Sequence, residues 1–112
     1  MNLTDFLGKL INTPETVTFN ETIACITKTY EFKETTFKNG ELLNEAGQNS
    51  GSCKIFAFAR LQELNKEQTL QCFGDFYRKD VLENPDGENH GNIRNFMKYG
   101  WDGIEFKGEP LI

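Results

Sequence analysis

The sequence has few of the residues that usually mark catalytic and metal sites. It contains one histidine, three cysteines, three prolines and one tryptophan. Cys25, Cys53, Cys72 and His90 are scattered without the paired spacings of a structural zinc site, so no metal is expected. No cofactor is expected either. There is no P-loop or dinucleotide fingerprint, since Gly8 and the pair Gly100 and Gly103 lack the required strand–turn–helix setting. No apolar run approaches the ~20 residues of a membrane helix. The N-terminus, Met1 to Lys9, has neither a basic region nor an unbroken apolar stretch, which argues against a secretory signal peptide. An odd cysteine count without a Cys-x-x-Cys pair then predicts reduced thiols in a cytoplasmic protein.

Basic clusters are also missing. Seventeen acidic against twelve basic side chains give a formal charge of −5, and Lys54, Lys66, Lys79 and Lys98 are interspersed with acids. Nucleic acid and anionic membrane surfaces are therefore not expected partners. Internal repeats and low-complexity segments are absent.

What the chain does have is aromatic residues. Ten Phe, three Tyr and one Trp in 112 residues can bury enough area to offset ordering, which argues for one folded domain over 1–112. Asn2 caps a first helix whose apolar face is Leu3, Phe6, Leu7, Leu10 and Ile11; Pro14 closes it. Thr18 and Glu21 form a capping box for a second helix, with Ile23, Ile26 and Tyr30 on its face. From Phe32 to Ser52 the helical period is lost, and Asn39-Gly40 signals a turn. Ser50 or Ser52 begins a third helix, Cys53 to about Leu64, which is apolar nearly all round and reads as the central one. Asn65 caps a fourth helix through Leu70, Phe73, Tyr77 and Val81. Gly74 lies inside it, which points to a neighbouring backbone packed close. A fifth helix starts at Asn89 or Asn92 and ends at Tyr99, with Gly100 as C-cap. The expected fold is all-α, or mainly so: a single compact five-helix domain with an aromatic core. At most one short β appendage is expected near the C-terminus, with Ile104–Phe106 pairing near Tyr30–Phe32.

Several segments form a recognisable set. They are Phe37 to Gly40, Ala46-Gly-Gln-Asn-Ser-Gly-Ser-Cys-Lys-Ile-Phe56, Thr69 to Leu82, His90-Gly-Asn-Ile-Arg-Asn-Phe96 and Gly100-Trp-Asp-Gly-Ile104. Together they resemble the HopJ type III effector family, from about Phe19 to Leu111. The resemblance implies a bacterial protein delivered by a type III secretion system. Its expected places are the bacterial cytoplasm and, after secretion, a host cell, with a host protein as partner. It implies no catalytic residue, ligand or cofactor. A monomer is the default expectation.

Three functional readings follow from the residues. In the first, Cys53 sits at a helix N-terminus, where the helix dipole can lower a thiol pKa. His90 would be its base, with Asn92, Asn95, Asp86 or Asp102 orienting the imidazole. The competing reading makes Cys53 a small buried residue of the central helix. In the second, Asn39, Asn44 and Asn49 in the long loop join Arg78, Arg94 and Asn95 on helices to form a polar ligand site. The two arginines would fork a carboxylate or phosphate. The competing reading has the arginines pairing within the chain and the asparagines fastening turns. In the third, Tyr99, Trp101 and Phe106 leave an aromatic patch for a protein partner. A binding or interaction module is preferred; the alternative is a small cysteine-dependent enzyme using Cys53 and His90.

Overall fold

The computed structural model describes residues 1–112. Asn2 opens helix α1 (Leu3–Asn12), its side chain accepting from the Asp5 N–H at 2.8 Å. Phe6 and Leu10, one turn apart, are buried. Pro14 begins a 3-10 turn (Pro14–Thr16). The Thr18–Glu21 capping box then starts helix α2 (Phe19–Thr29). Glu21 also accepts from Lys9 Nζ at 2.7 Å, so one carboxylate caps α2 and ties it to α1.

The irregular stretch after α2 contains a hairpin. Strand β1 (Phe37–Asn39) turns at Gly40, with φ of 62°, into β2 (Leu42–Asn44). The Tyr99 ring lies against Gly40, where an added Cβ would meet it at 2.3 Å, so glycine is needed here twice over. Strand β3 (Ile104–Phe106) joins the other side of β1, giving an antiparallel sheet in the order β2-β1-β3. Phe37 stands opposite Asn44 on one side and Phe106 on the other. The fold is therefore mainly helical with a three-stranded sheet, and not all-α. The 104–106 strand exists, but its partner is β1. Phe32 instead forms an isolated bridge with Leu111.

Helix α3 (Ser50–Leu61) buries Cys53 and every residue from Ile55 to Ala59, which makes it the central helix. It starts at Ser50, one of the two serines expected to begin it, and stops about three residues earlier than the sequence predicts, ending before Glu63, where φ turns to +55°. Helix α4 (Lys66–Gln71) begins on an Asn65–Gln68 capping box. It does not run on to Val81, because Gly74 breaks it at φ of 63°. The chain resumes as a π-helical segment (Phe76–Val81). The cause is the close neighbour expected at that glycine: an added Cβ would lie 2.6 Å from the Phe19 backbone nitrogen. Helix α5 (Gly91–Tyr99) stops at Gly100, and a 3-10 turn (Gly100–Gly103) leads into β3.

The buried apolar side chains make one cluster with Phe56 of α3 at its centre. Its ring lies 4.9 Å from Phe96 of α5, 5.5 Å from Phe73 and 6.1 Å from Phe37 of β1. The sheet and the central helix thus share one aromatic core, and α5 is packed so that its first turn lies beside the first turn of α3.

Candidate functional site

Both α3 and α5 start from left-handed residues. Asn49 precedes α3 at φ of 50° and His90 precedes α5 at φ of 54°, and neither side chain caps its helix. The first intrahelical bonds are Cys53 N–H to Asn49 O at 3.0 Å and Arg94 N–H to His90 O at 3.1 Å. The N–H groups of Ser50, Gly51, Ser52, Gly91, Asn92 and Ile93 precede them and have no acceptor in the protein. A cleft of about 350 Å³ opens between the two helix starts. Asn49, Ser52, His90 and Asn92 supply polar groups to it, and Phe19 and Phe76 form part of its apolar wall.

His90 is fixed at the cleft edge from two directions. Its Nε2 lies 3.0 Å from Asp80 Oδ2, and its ring stacks on Phe76 with centroids 5.1 Å apart. The orienting carboxylate is Asp80 of the π-helical segment, not Asn92, Asn95, Asp86 or Asp102. Phe76 is held edge-on by Phe19, with centroids 5.0 Å apart.

Behind the cleft is a buried cluster of amides. Asn92 and Asn44 exchange two hydrogen bonds, and Asn49 Nδ2 donates to Asn44 Oδ1 at 2.7 Å. Asn39 Nδ2 donates to Asn92 O at 2.7 Å and to Asn92 Oδ1 at 3.0 Å. Asn95 Nδ2 reaches Asn39 O at 2.9 Å. These bonds tie the hairpin and the start of α3 to α5 and hold the cleft in shape. Asn39 Oδ1 is the one buried side-chain acceptor left without a partner.

The arginines are placed elsewhere. Arg78 donates to the carbonyls of Pro14, Val17 and Gln71 and to Gln71 Oε1, clasping the 14–17 turn. Its contact with Asp75 is a loose 3.7 Å. Arg94 donates to Asn84 O, Pro85 O and both oxygens of Asn89, closing the 84–89 turn. Each guanidinium fastens its own turn, and the two do not converge as a fork.

Cys53 lies in the first turns of α3 but faces away from the cleft. It is 2% exposed, and its Sγ points at Thr35 O, 3.9 Å away. Burial pushes its thiol up to about 11, against an ordinary 9.0. Desolvation therefore outweighs the helix dipole at this position. The thiol and the imidazole of His90 are not brought together. Tyr99, Trp101 and Phe106 are half-buried rather than exposed. Trp101 Nε1 donates to Leu64 O at 3.1 Å, and Arg60 lies over the Trp101 and Phe106 rings. A second cleft, of about 380 Å³, lies beside Arg60, Leu61 and Phe106. Arg60 there donates to Ile104 O, and Glu109 is the other charged residue of that cleft.

Three features of the main cleft were not read from the sequence: Asn92 as the hub of the amides, the Phe19–Phe76 wall, and Asp80. A buried asparagine and an exposed one look alike in sequence, and only the fold brings residues 19, 76 and 90 together. No helix is long and apolar enough to cross a membrane, and no group of residues is arranged to hold a metal ion.

A family model described as HopJ type III effector protein matches residues 3–111. The match reaches further towards the N-terminus than the sequence motifs, which begin at about Phe19, and takes in α1. A crystal structure of VPA0580, a protein of unknown function, has the same fold with a TM-score of 0.98 and 50% sequence identity. The alignment covers 100% of this chain and 93% of that one. The comparison with curated proteins found no match.

Proposed function

The chain belongs to the HopJ type III effector protein family, and on that premise we propose that it is an effector-like binding module working through the cleft between the starts of α3 and α5. The observation that carries this reading is the contrast between His90 and Cys53. The imidazole is oriented and opens on a cleft with unpaired N–H groups around it. The one thiol near a helix start is sealed in the core and held protonated. A site with donors and an apolar wall but no activated nucleophile is suited to holding a ligand rather than to covalent catalysis.

The test is the response of host cells to the protein delivered by a type III secretion machine. Ser52→Phe, which fills the cleft from the first turn of α3, should abolish the response while secretion continues. Cys53→Ala should preserve it. Loss of the response in a folded Cys53→Ala protein would instead favour the cysteine enzyme. Delivery has a separate test: fusing about the first 20 residues, the terminal segment, to a reporter should give transfer that depends on the secretion machine.

A further inference from the structure

We propose that the ligand of this cleft is a small planar heteroaromatic molecule, seated with its ring against the Phe76–His90 pair. The inference rests on the binding reading above and adds the chemistry of the ligand. Of ten phenylalanines, Phe76 alone is exposed, at 39%. It is also the one that meets the cleft with a ring fixed from two sides. Phe19 holds it edge-on at 67°, and His90 lies beside it at 35° and is itself held by Asp80. A fixed ring pair next to an open volume is a stacking platform that needs no ordering before use. The volume of about 350 Å³ suits a small ring system and is at the low end for ligand sites of roughly 300–1,000 Å³.

The polar groups define the rest of the ligand. No carboxylate, lysine or arginine lines the cleft. The donors that face it are the Ser52 hydroxyl and first-turn N–H groups, whereas Asn49 Nδ2 is already given to Asn44 Oδ1. A plain hydrocarbon ring would leave these donors unpaired, and a saturated polar molecule would leave the Phe76 face wet. A ring carrying acceptor nitrogens or carbonyl oxygens satisfies both.

Three probes separate these contributions: pyridine-3-carboxamide, benzamide and cyclohexanecarboxamide, titrated into the 15N-labelled full chain. Pyridine-3-carboxamide should shift the Ser52, His90 and Gly91 amides and bind about ten-fold or more tighter than cyclohexanecarboxamide, with benzamide between them. Phe76→Leu should remove that preference and leave the rest of the spectrum in place, while Phe76→Tyr should keep it. Equal binding of the aromatic and saturated probes would overturn the ring assignment, as would shifts confined to other surfaces or no binding by any probe at millimolar concentration. Those outcomes leave the binding reading standing if Ser52→Phe still abolishes the host response. A response indifferent to Ser52→Phe removes that reading itself.

Discussion

Asn44 and Asn92 face each other as a reciprocal amide pair. Asn92 Nδ2 donates to Asn44 Oδ1 at 2.9 Å and Asn44 Nδ2 donates to Asn92 Oδ1 at 3.1 Å. The pair is buried, with Asn44 1% and Asn92 6% exposed, and joins β2 to the first turn of α5. Two polar side chains far apart in sequence thus neutralise each other's burial, and each also takes a bond from another asparagine.

Asn92→Asp should show what that reciprocity contributes. It sets a carboxylate oxygen against Asn44 Oδ1 in place of a donor. The expected loss is about 3 kcal/mol at neutral pH, because a buried charge faces an acceptor. Lowering the pH protonates the new carboxyl, restores a donor and recovers part of the loss. Urea unfolding of both proteins at neutral and acidic pH measures it. An equal deficit at both would mean that the pair acts only through shape.

Gly74 and Gly8 should respond in opposite directions to alanine. At Gly74 the φ of 63° and the Phe19 nitrogen 2.6 Å from an added Cβ leave no room. Gly74→Ala should cost more than about 2 kcal/mol, combining left-handed strain with a backbone clash. Gly8 lies within α1 with nothing within 4 Å of an added Cβ. Gly8→Ala should gain about 0.5–1 kcal/mol from helix propensity. Chemical denaturation of the two variants side by side checks the contrast.

The thiols should make the fold sensitive to alkali. Burial pushes Cys53 up to about 11 and Cys72 up to about 12, from 9.0. Tyr77 rises from 10.0 to about 12, first through burial and then through the neighbouring Glu67. Folding holds these protons above the pH at which the unfolded chain releases them. The contribution is therefore complete below about pH 9 and is lost as the pH rises towards 12. Denaturation midpoints should fall across that window, and less steeply in Cys53→Ala. In the native protein at neutral pH, all three buried thiols should resist iodoacetamide.

Glu21 works in the opposite pH range. The hydrogen bond from Lys9 holds its carboxyl below the ordinary 4.5, outweighing the opposing desolvation, and the Thr18 N–H adds to the lowering. The stabilisation is present above the ordinary carboxylate value and disappears as the pH falls through the lowered one. Glu21→Gln keeps the cap acceptor but removes the charge, and should cost about 0.5–1 kcal/mol at neutral pH. Thermal midpoints of the two proteins should converge in acid.

The caps show which parts of this fold could be read in sequence. Asn2, Thr18 with Glu21, and Asn65 with Gln68 each act within one helical turn, so sequence spacing alone located three helix starts. The sheet follows a different logic. Each strand has only three residues, too few for alternation to register, and β1 buries Asn39 where the pattern calls for an apolar residue. Its partner β3 is chosen by tertiary packing around Phe37, which no local signal encodes. At the site, His90, Asn49 and Asn44 were legible as residue types, but their grouping was not. That Cys53 belongs to the first turns of the central helix is legible in the sequence. Which way its side chain faces depends on what lies across from it, and that is Thr35.

The order β2-β1-β3 also has a consequence for synthesis. Leu42 follows Asn39 through the tight turn at Gly40, whereas Ile104, the other partner of Asn39, comes from the far end of the chain. On the ribosome the hairpin can form as soon as it emerges. The flank of Phe37 that packs on Phe106, with ring centroids 5.8 Å apart, stays bare until translation is nearly finished. The nascent chain therefore carries an uncovered aromatic edge for most of its elongation, the kind of surface that holding chaperones grip and proteases probe. Chains cut short before Ile104 should be recognised as unfinished, even with all five helices already made.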